Sequence, residues 1–149
     1  MEIAGTVSSI LSQKDGQVWS IAPDSTVYDA IALMAEKNIG ALPVLAGRKV
    51  VGIITERDYT RKVVLKGKSS KDTAVKEIMT GALILAHPND SVTGCMKTMT
   101  DRRVRHLPVV EAGQMLGIVS MGDIVRWVME TQAATIDQLE QYVTGAVPV

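Results

Sequence analysis

Apolar and polar positions along this chain follow a pattern that is written twice. A short apolar stretch, "VWSI" at 18–21, leads into Pro23 and the polar residues "DST". Val27, Ile31, Met34 and Ala35 then recur at the spacing of one helical face. Two apolar runs follow, "ALPVL" at 41–45 and "VVGIIT" at 50–55, separated by the turn-forming "AGRK", and together they predict a β-hairpin. A second helix is expected at 56–65. The same order returns with "LIL" at 83–85, Pro88 and "NDS", then Val92, Met96 and Met99 at helical spacing. "HLPVV" at 106–110, the turn "EAGQ", "MLGIVS" at 115–120 and a long helix over about 122–143 complete the second copy. In both copies the polar residues after proline carry helix-start chemistry.

Sliding residues 23–58 by 65 positions superposes them on 88–123 without a gap. Pro23/Pro88, Val27/Val92, Met34/Met99, Leu42/Leu107, Pro43/Pro108, Val44/Val109, Gly52/Gly117, Ile53/Ile118 and Asp58/Asp123 are identical. "TVSSIL" at 6–11 resembles "AVKEIM" at 74–79, but at an offset of 68, so copy one carries about three extra residues in the polar stretch "SQKDGQ". "AVKEIM" reads as a short lead-in helix, and the lysine-rich "KGKSSKDTA" at 66–74 as a linker. The expected organisation is one unit over 1–70 and a second over 71–149, the latter with an extended C-terminal helix. Each unit is strand, helix, two strands, helix. The fold class is therefore α+β, an α/β sandwich of tandem β-α-β-β-α units packed with pseudo-twofold symmetry around a shared core.

Composition narrows the function. Of 149 residues, 46% are apolar and 3% aromatic, with no Phe. Lys plus Arg balance Asp plus Glu at 16 each. Neutral charge and few stacking rings disfavour nucleic acid as a partner. No run approaches the length of a membrane helix, and the N-terminal stretch lacks the form of a secretory signal. A single cysteine forms no internal disulfide. These features predict a cytoplasmic chain that engages no membrane.

The repeated segment is "GIITERD" at 52–58 and "GIVSMGD" at 117–123. A strand ends and a helix begins at the hydroxyl residue, Thr55 or Ser120. First-turn amides carry the positive end of the helix dipole and suit an anion such as phosphate. Asp58 and Asp123 fall in that first turn, where a carboxylate offers two acceptors to the adjacent hydroxyls of a ribose. Gly52 and Gly117 remove side chains where a ligand or a backbone could approach. The same residues also spell a near capping box, in which side chain and backbone satisfy each other without any ligand.

The ordered series of apolar strand, Pro, helix, "LPVV", turn, "GIVS..D" and helix, twice in tandem over about 6–130, resembles the cystathionine-β-synthase (CBS) domain pair, or Bateman module, of the stand-alone bacterial type. The resemblance implies non-catalytic modules whose clefts between units bind adenosine-containing ligands: AMP, ADP, ATP, S-adenosylmethionine or NAD(H). On it, Asp58 and Asp123 match the ribose-binding aspartates, and Thr55 and Ser120 the hydroxyls near phosphate. The base pocket would draw on Ile39 and Gly40 with Val18 and Trp19 in one cleft, and on Val104 and Arg105 with Thr80 and Ile84 in the other. The clefts differ in charge. Arg57 stands where copy two has Gly122, and Arg105 and His106 replace Gly40 and Ala41. Either unequal affinities or two different ligands are expected, for example AMP or another adenine nucleotide in one cleft and a larger one such as NAD(H) in the second. The family also implies a homodimer and a separate, unidentified regulated protein.

Rival readings remain at this point: a structural interaction module with empty clefts, or a nucleotide-hydrolysing enzyme using Asp58, Glu56 or His106. No P-loop, G-x-G-x-x-G or G-x-S-x-G motif occurs. His87 and His106 have no zinc-site spacing, so no metal is expected. Cys95 reads as a small buried thiol. The basic run Arg57, Arg61, Lys62, Lys66, Lys68 and Lys71 reads, apart from Arg57, as a solvated helix face and linker. The C-terminal helix presents an apolar stripe of Ile124, Val128, Ala134, Ile136, Leu139 and Val143, widened by Trp127 and Met129.

Overall fold

Hydrogen bonds at "PDST" and "PNDS" organise both halves of the computed structural model, which describes residues 3–14 and 16–131. Thr26 caps helix α2 (Val27–Lys37), its hydroxyl accepting from the Asp29 amide at 3.1 Å. Ser91 does the same for α5 (Val92–Arg102), accepting from the Gly94 amide at 2.9 Å. Both helices end on a left-handed residue with φ of 55°, Asn38 in one and Arg103 in the other. Their buried faces correspond position for position: Val27, Ala30 and Met34, then Val92, Cys95 and Met99. The expected faces differ in detail. Ala30 and Cys95 are the inward residues, while Ile31 and Met96 are half-buried and Ala35 is exposed.

Each helix is followed by an antiparallel hairpin: β1 (Ala41–Ala46) with β2 (Lys49–Thr55), and β3 (His106–Glu111) with β4 (Gln114–Ser120). β1 pairs Ala41 with Thr55 and Val44 with Gly52, then shifts register at a bulge so that Leu45 meets Val50. The strand expected at 18–21 contracts to one parallel bridge, Ile21 with Val44, in which Ile21 donates to the Pro43 carbonyl at 3.1 Å and accepts from the Leu45 amide at 2.9 Å; Pro23, without an amide, bars extension on its C-terminal side. The run at 83–85 forms no strand either; the only ladder position in that stretch is a single bridge at Ala86, just before Pro88, which lacks an amide to continue it. After β2 come α3 (Glu56–Tyr59) and a π-helical turn, Thr60–Val64. After β4 the chain is helical over 121–131, labelled α6. The remainder of the expected C-terminal helix, with Ala134, Ile136, Leu139 and Val143, lies outside the described residues.

The lead-in helices α1 (Val7–Gln13) and α4 (Val75–Ile78) are exchanged between the copies. α1 precedes copy one yet bonds to copy two: the Val7 amide donates to the Asp90 carbonyl and Ser8 to Pro88, each at 2.9 Å. α4 precedes copy two yet bonds to copy one, Val75 donating to Ser25 at 2.8 Å and Lys76 to Pro23 at 2.9 Å. The chain accordingly forms two compact units. Of the described residues, one takes in those up to Gly16, Ala86–Leu107 and those from Val119 on; the other takes in Gln17–Leu85 and Pro108–Ile118. The second unit buries Val27, Ala30, Met34, Leu42, Val44, Ile54, Val63, Val75 and Ile78 in one cluster. The first buries the matching set Val7, Ile10, Val92, Cys95, Met99, Leu107, Val119 and Ile124. The lysine-rich linker is tied down as well. The α2 amides of Val27 and Tyr28 donate to Thr73 and Ser70 at 2.8 and 3.0 Å, and Thr73 is buried.

Candidate functional site

β2 delivers its last residue, Thr55, in extended conformation as the N-cap of α3. The Thr55 hydroxyl accepts from the Asp58 amide at 3.1 Å. Asp58 Oδ2 in turn accepts from the Thr55 amide at 3.0 Å and from its hydroxyl at 3.1 Å. β4 and α6 repeat the arrangement. Ser120 Oγ accepts from the Asp123 amide at 3.1 Å, and Asp123 Oδ2 accepts from the Ser120 amide at 2.8 Å. Both junctions are thus reciprocal capping boxes, with Asp in the place usually held by Glu or Gln. A further first-turn amide is bonded within each copy: Glu56 donates to the Gly40 carbonyl at 3.1 Å, and Met121 to Arg105 at 2.8 Å. With the first and third helical amides engaged internally, these helix starts keep few free backbone donors.

Asp58 and Asp123 are each only 8% exposed. Buried carboxylates need cationic partners to remain ionised at modest cost. Asp58 finds Lys62, one turn along, with Nζ 3.0 Å from Oδ1. Lys62 also donates to the Ile78 carbonyl at 2.9 Å, so the π-helical turn that carries it fixes its ammonium at two points. Asp123 finds Lys14, the C-cap residue of α1, with Nζ 2.8 Å from Oδ2. Arg126 stands 3.9 Å from Oδ1. Burial opposes ionisation of Asp123, but the bonds from Lys14 and Ser120 outweigh it and hold the carboxyl below its ordinary value. His106 begins β3 nearby. Burial lowers its pKa, Asp123 opposes that, and the charges of Lys14 and Arg105 add to it.

The other expected site residues fall within one unit or the other. Val18, Trp19, Ile39, Gly40, Thr55, Arg57, Asp58, Thr80 and Ile84 belong to the unit of Gln17–Leu85, while Val104, Arg105, His106, Ser120 and Asp123 belong to the unit that holds α1. Arg57 and Arg105 are exposed. Ile39 and Gly40 line a cavity of about 230 Å³ with Ile31, Met34, Ala35, Asn38 and Glu56. That is smaller than the roughly 300–1,000 Å³ of typical small-molecule pockets. Val18 is exposed, and Trp19 is half-buried with the Lys37 ammonium 4.1 Å from its ring centre. Thr80 exchanges backbone bonds with Ile53 at 2.9 and 3.0 Å. Ile84 and Val104 are half-buried.

Gly52 leaves room for backbone. A Cβ there would come within 2.5 Å of Met79 Sδ and 3.1 Å of the Thr80 carbonyl oxygen. Sequence reasoning did not single out Lys14 and left Lys62 on a solvated face. The i,i+4 spacing from Asp58 signals Lys62. No local pattern signals Lys14, whose partner is 109 residues away. Among the described residues no group of three or more His, Cys, Asp or Glu side chains converges as a metal site would require, and no helix is long and apolar enough to cross a membrane.

Known proteins share this architecture. The CBS-domain family model matches residues 7–65 and again 75–130. The mitochondrial CBS domain-containing protein CBSX3 of Arabidopsis thaliana is 41% identical over 149 residues, spanning 94% of this chain and 72% of the relative. A structure of a protein with CBS domains from Burkholderia ambifaria MC40-6 is 47% identical with a TM-score of 0.83, covering 86% of this chain and 96% of that one. The CBS domain pair of protein MJ0100, solved with 5′-methylthioadenosine and S-adenosyl-L-methionine, is 27% identical with a TM-score of 0.73, covering 82% and 98%. Matched twice by one family model and aligned with these relatives along most of its length, the chain belongs to the CBS-domain family and carries two CBS domains in tandem.

Proposed function

We propose that this chain is a non-catalytic sensor of adenine nucleotides, of the AMP, ADP, ATP or NAD(H) type. In this reading Asp58 and Asp123 accept the vicinal ribose hydroxyls. Thr55 and Arg57 at one site, and Ser120, Arg105 and His106 at the other, face phosphate. Val18, Trp19, Ile39, Gly40, Thr80, Ile84 and Val104 supply walls for the base. Occupancy shifts the balance between two arrangements of the module, which requires a ligand with different affinity for each. A separate protein receives the output, and the module works in the cytoplasm as a homodimer.

One observation carries the reading: the same buried, lysine-paired aspartate stands at the same strand-to-helix junction in both copies. The adenosine-type ligands bound by the domain pair of protein MJ0100 supply the ligand class. Titration calorimetry with AMP, ATP, NADH and S-adenosylmethionine on wild type, Asp58→Ala and Asp123→Ala tests it. Each variant should lose one binding event, and unchanged binding in both refutes the assignment.

The second reading, an interaction module with empty clefts, is favoured by the completeness of each capping box without a ligand. Thermal unfolding separates the two. A ligand at 100 times its dissociation constant adds about 2.7 kcal/mol of stability, whereas an empty module gains nothing. Full recovery of ATP and NAD after incubation with the protein eliminates hydrolysis.

A further inference from the structure

The chain is neutral as a whole, yet much of its positive charge is gathered in one stretch. Between Arg57 and Lys71 six cations face a single acid, Asp58, and that acid is already paired with Lys62. The stretch belongs to the unit of Gln17–Leu85. Its middle is tightly bonded. Val63 is buried in the core cluster of that unit. The Leu65 amide donates to the Thr60 carbonyl at 3.1 Å, Gly67 to Val64 at 3.2 Å and Lys68 to Val63 at 3.0 Å, so the π-helical turn closes on itself, with Gly67 left-handed at φ of 67°. Outside this closed turn Val64 and Leu65 are 52% and 73% exposed. Arg61 lies within one helical turn before them, and Lys66 and Lys68 follow directly. These three cations are exposed, and among the described residues none of them makes an ion pair.

Cations past the last turn of a helix have an ordinary explanation, since they complement the negative end of its dipole. That explanation does not reach the two adjacent aliphatic side chains among them. Together the five residues form a small apolar centre with a charged rim, the layout of a docking surface. We infer that Val64 and Leu65, framed by Arg61, Lys66 and Lys68, dock an acidic amphipathic segment of another protein, which sets an aliphatic side chain on Leu65 and carboxylates toward the cations. The charge of the rim selects this occupant. A second copy packed about a twofold axis would place the three cations against their own equivalents. Nucleic acid would find no ring to stack on, because residues 60–68 include no aromatic. A lipid surface favours a broader apolar face with aromatic residues. The bonded turn is already in shape, so docking costs little ordering of this chain. The surface is independent of the nucleotide reading, since Lys62, the partner of Asp58, is not part of it.

The test is fluorescence anisotropy on the full chain with labelled helical peptides of about four turns. One carries a leucine stripe flanked by glutamates, a second has lysine for glutamate, and a third has serine for leucine. The Glu/Leu peptide should bind, and the other two at least tenfold more weakly. Leu65→Ser should weaken the Glu/Leu peptide about tenfold, the size of one aliphatic contact, and keep the salt dependence. Lys66→Glu combined with Lys68→Glu should weaken it at least as much and flatten the salt dependence. Leu65→Ala, which keeps the turn apolar, should behave as Leu65→Ser does. Equal binding of the Glu/Leu and Glu/Ser peptides means charge attraction alone and overturns the inference. So does binding that none of the variants alters. Leu65-dependent sedimentation with phosphatidylserine–phosphatidylcholine vesicles, without peptide binding, assigns the surface to lipid and overturns it. Loss of self-association in Leu65→Ser by sedimentation velocity assigns it to a second copy and overturns it likewise.

Discussion

Gly52 opens the repeated segment, and replacing it by alanine separates two reasons for a glycine there. If the residue is small to admit a ligand, Gly52→Ala weakens binding and leaves stability alone. The geometry points to backbone packing instead. The new Cβ would sit 2.5 Å from Met79 Sδ, 2.9 Å from its Cγ and 3.1 Å from the Thr80 carbonyl oxygen. The Met79 side chain can move, at the expense of its packing on the buried cluster. The Thr80 carbonyl cannot, because it accepts from the Ile53 amide at 3.0 Å while Thr80 donates to Ile53 at 2.9 Å. Overpacking of this kind costs about 1–3 kcal/mol. Alanine recovers about 0.5–1 kcal/mol through its smaller loss of chain entropy. The net expectation is a loss of about 1 kcal/mol, or about 2–4 °C in Tm for a chain of this size. Circular dichroism melts and urea titrations of Gly52→Ala, Met79→Ala and the double variant measure it. Met79→Ala removes the two nearest obstacles, so the cost of Gly52→Ala should fall by at least half in that background. An unchanged Tm for Gly52→Ala, or an equal cost with and without the Met79 side chain, refutes the reasoning.

Gly5→Ala should be more damaging, by about 2–4 kcal/mol, because Gly5 has φ of +104° and its Cβ would collide with the Trp127 ring; tryptophan emission during urea unfolding reads the loss. Proton NMR should show His106 titrating below the ordinary 6.5, with its pKa raised by Lys14→Ala and lowered further by Asp123→Asn. Asp123 has a depressed pKa in the folded state, so its contribution to stability is complete above the ordinary carboxylate value of 3.8 and is lost as pH falls through the lower folded value. The urea midpoints of wild type and Asp123→Asn should accordingly converge below about pH 3.8. Cys95, whose thiol burial and then Asp90 push up to about 11, should resist a disulfide reagent at pH 8 until the chain unfolds; rapid labelling of native protein would contradict this.

What the sequence made legible was what repetition and local chemistry encode. The offset of 65 residues predicted two equivalent helix caps, and Thr26 and Ser91 form them. It predicted two hairpins, and both occur. The capping box at each motif was legible too, since all of its partners lie within four residues. Three features were not. The bridge at Ile21 depends on the neighbouring β1, and no periodicity within four apolar residues tells a bridge from a strand. The exchange of α1 and α4 is made through backbone bonds, which leave no signature in side-chain type. The inward turn of Ala30 and Cys95 follows from helix phase, and a small residue does not announce it as a leucine would.

The exchange of lead-in helices also explains how one copy influences chemistry in the other. Because α1 docks on "PNDS" of copy two, its C-terminal end is carried to the Asp123 carboxylate. α4 docks on "PDST" of copy one in the same manner, but it ends at Ile78, and that carbonyl accepts from Lys62. Equivalent helices therefore terminate at equivalent acids and do different things there. One supplies the cation itself, and the other supplies an anchor for a cation from elsewhere. The few residues that lengthen copy one after α1 are enough to produce the difference, since they are the ones that carry Lys14. A duplicated fold with duplicated aspartates thus sets them in two electrostatically distinct surroundings, on cores in which Val27, Ala30 and Met34 occupy the positions of Val92, Cys95 and Met99.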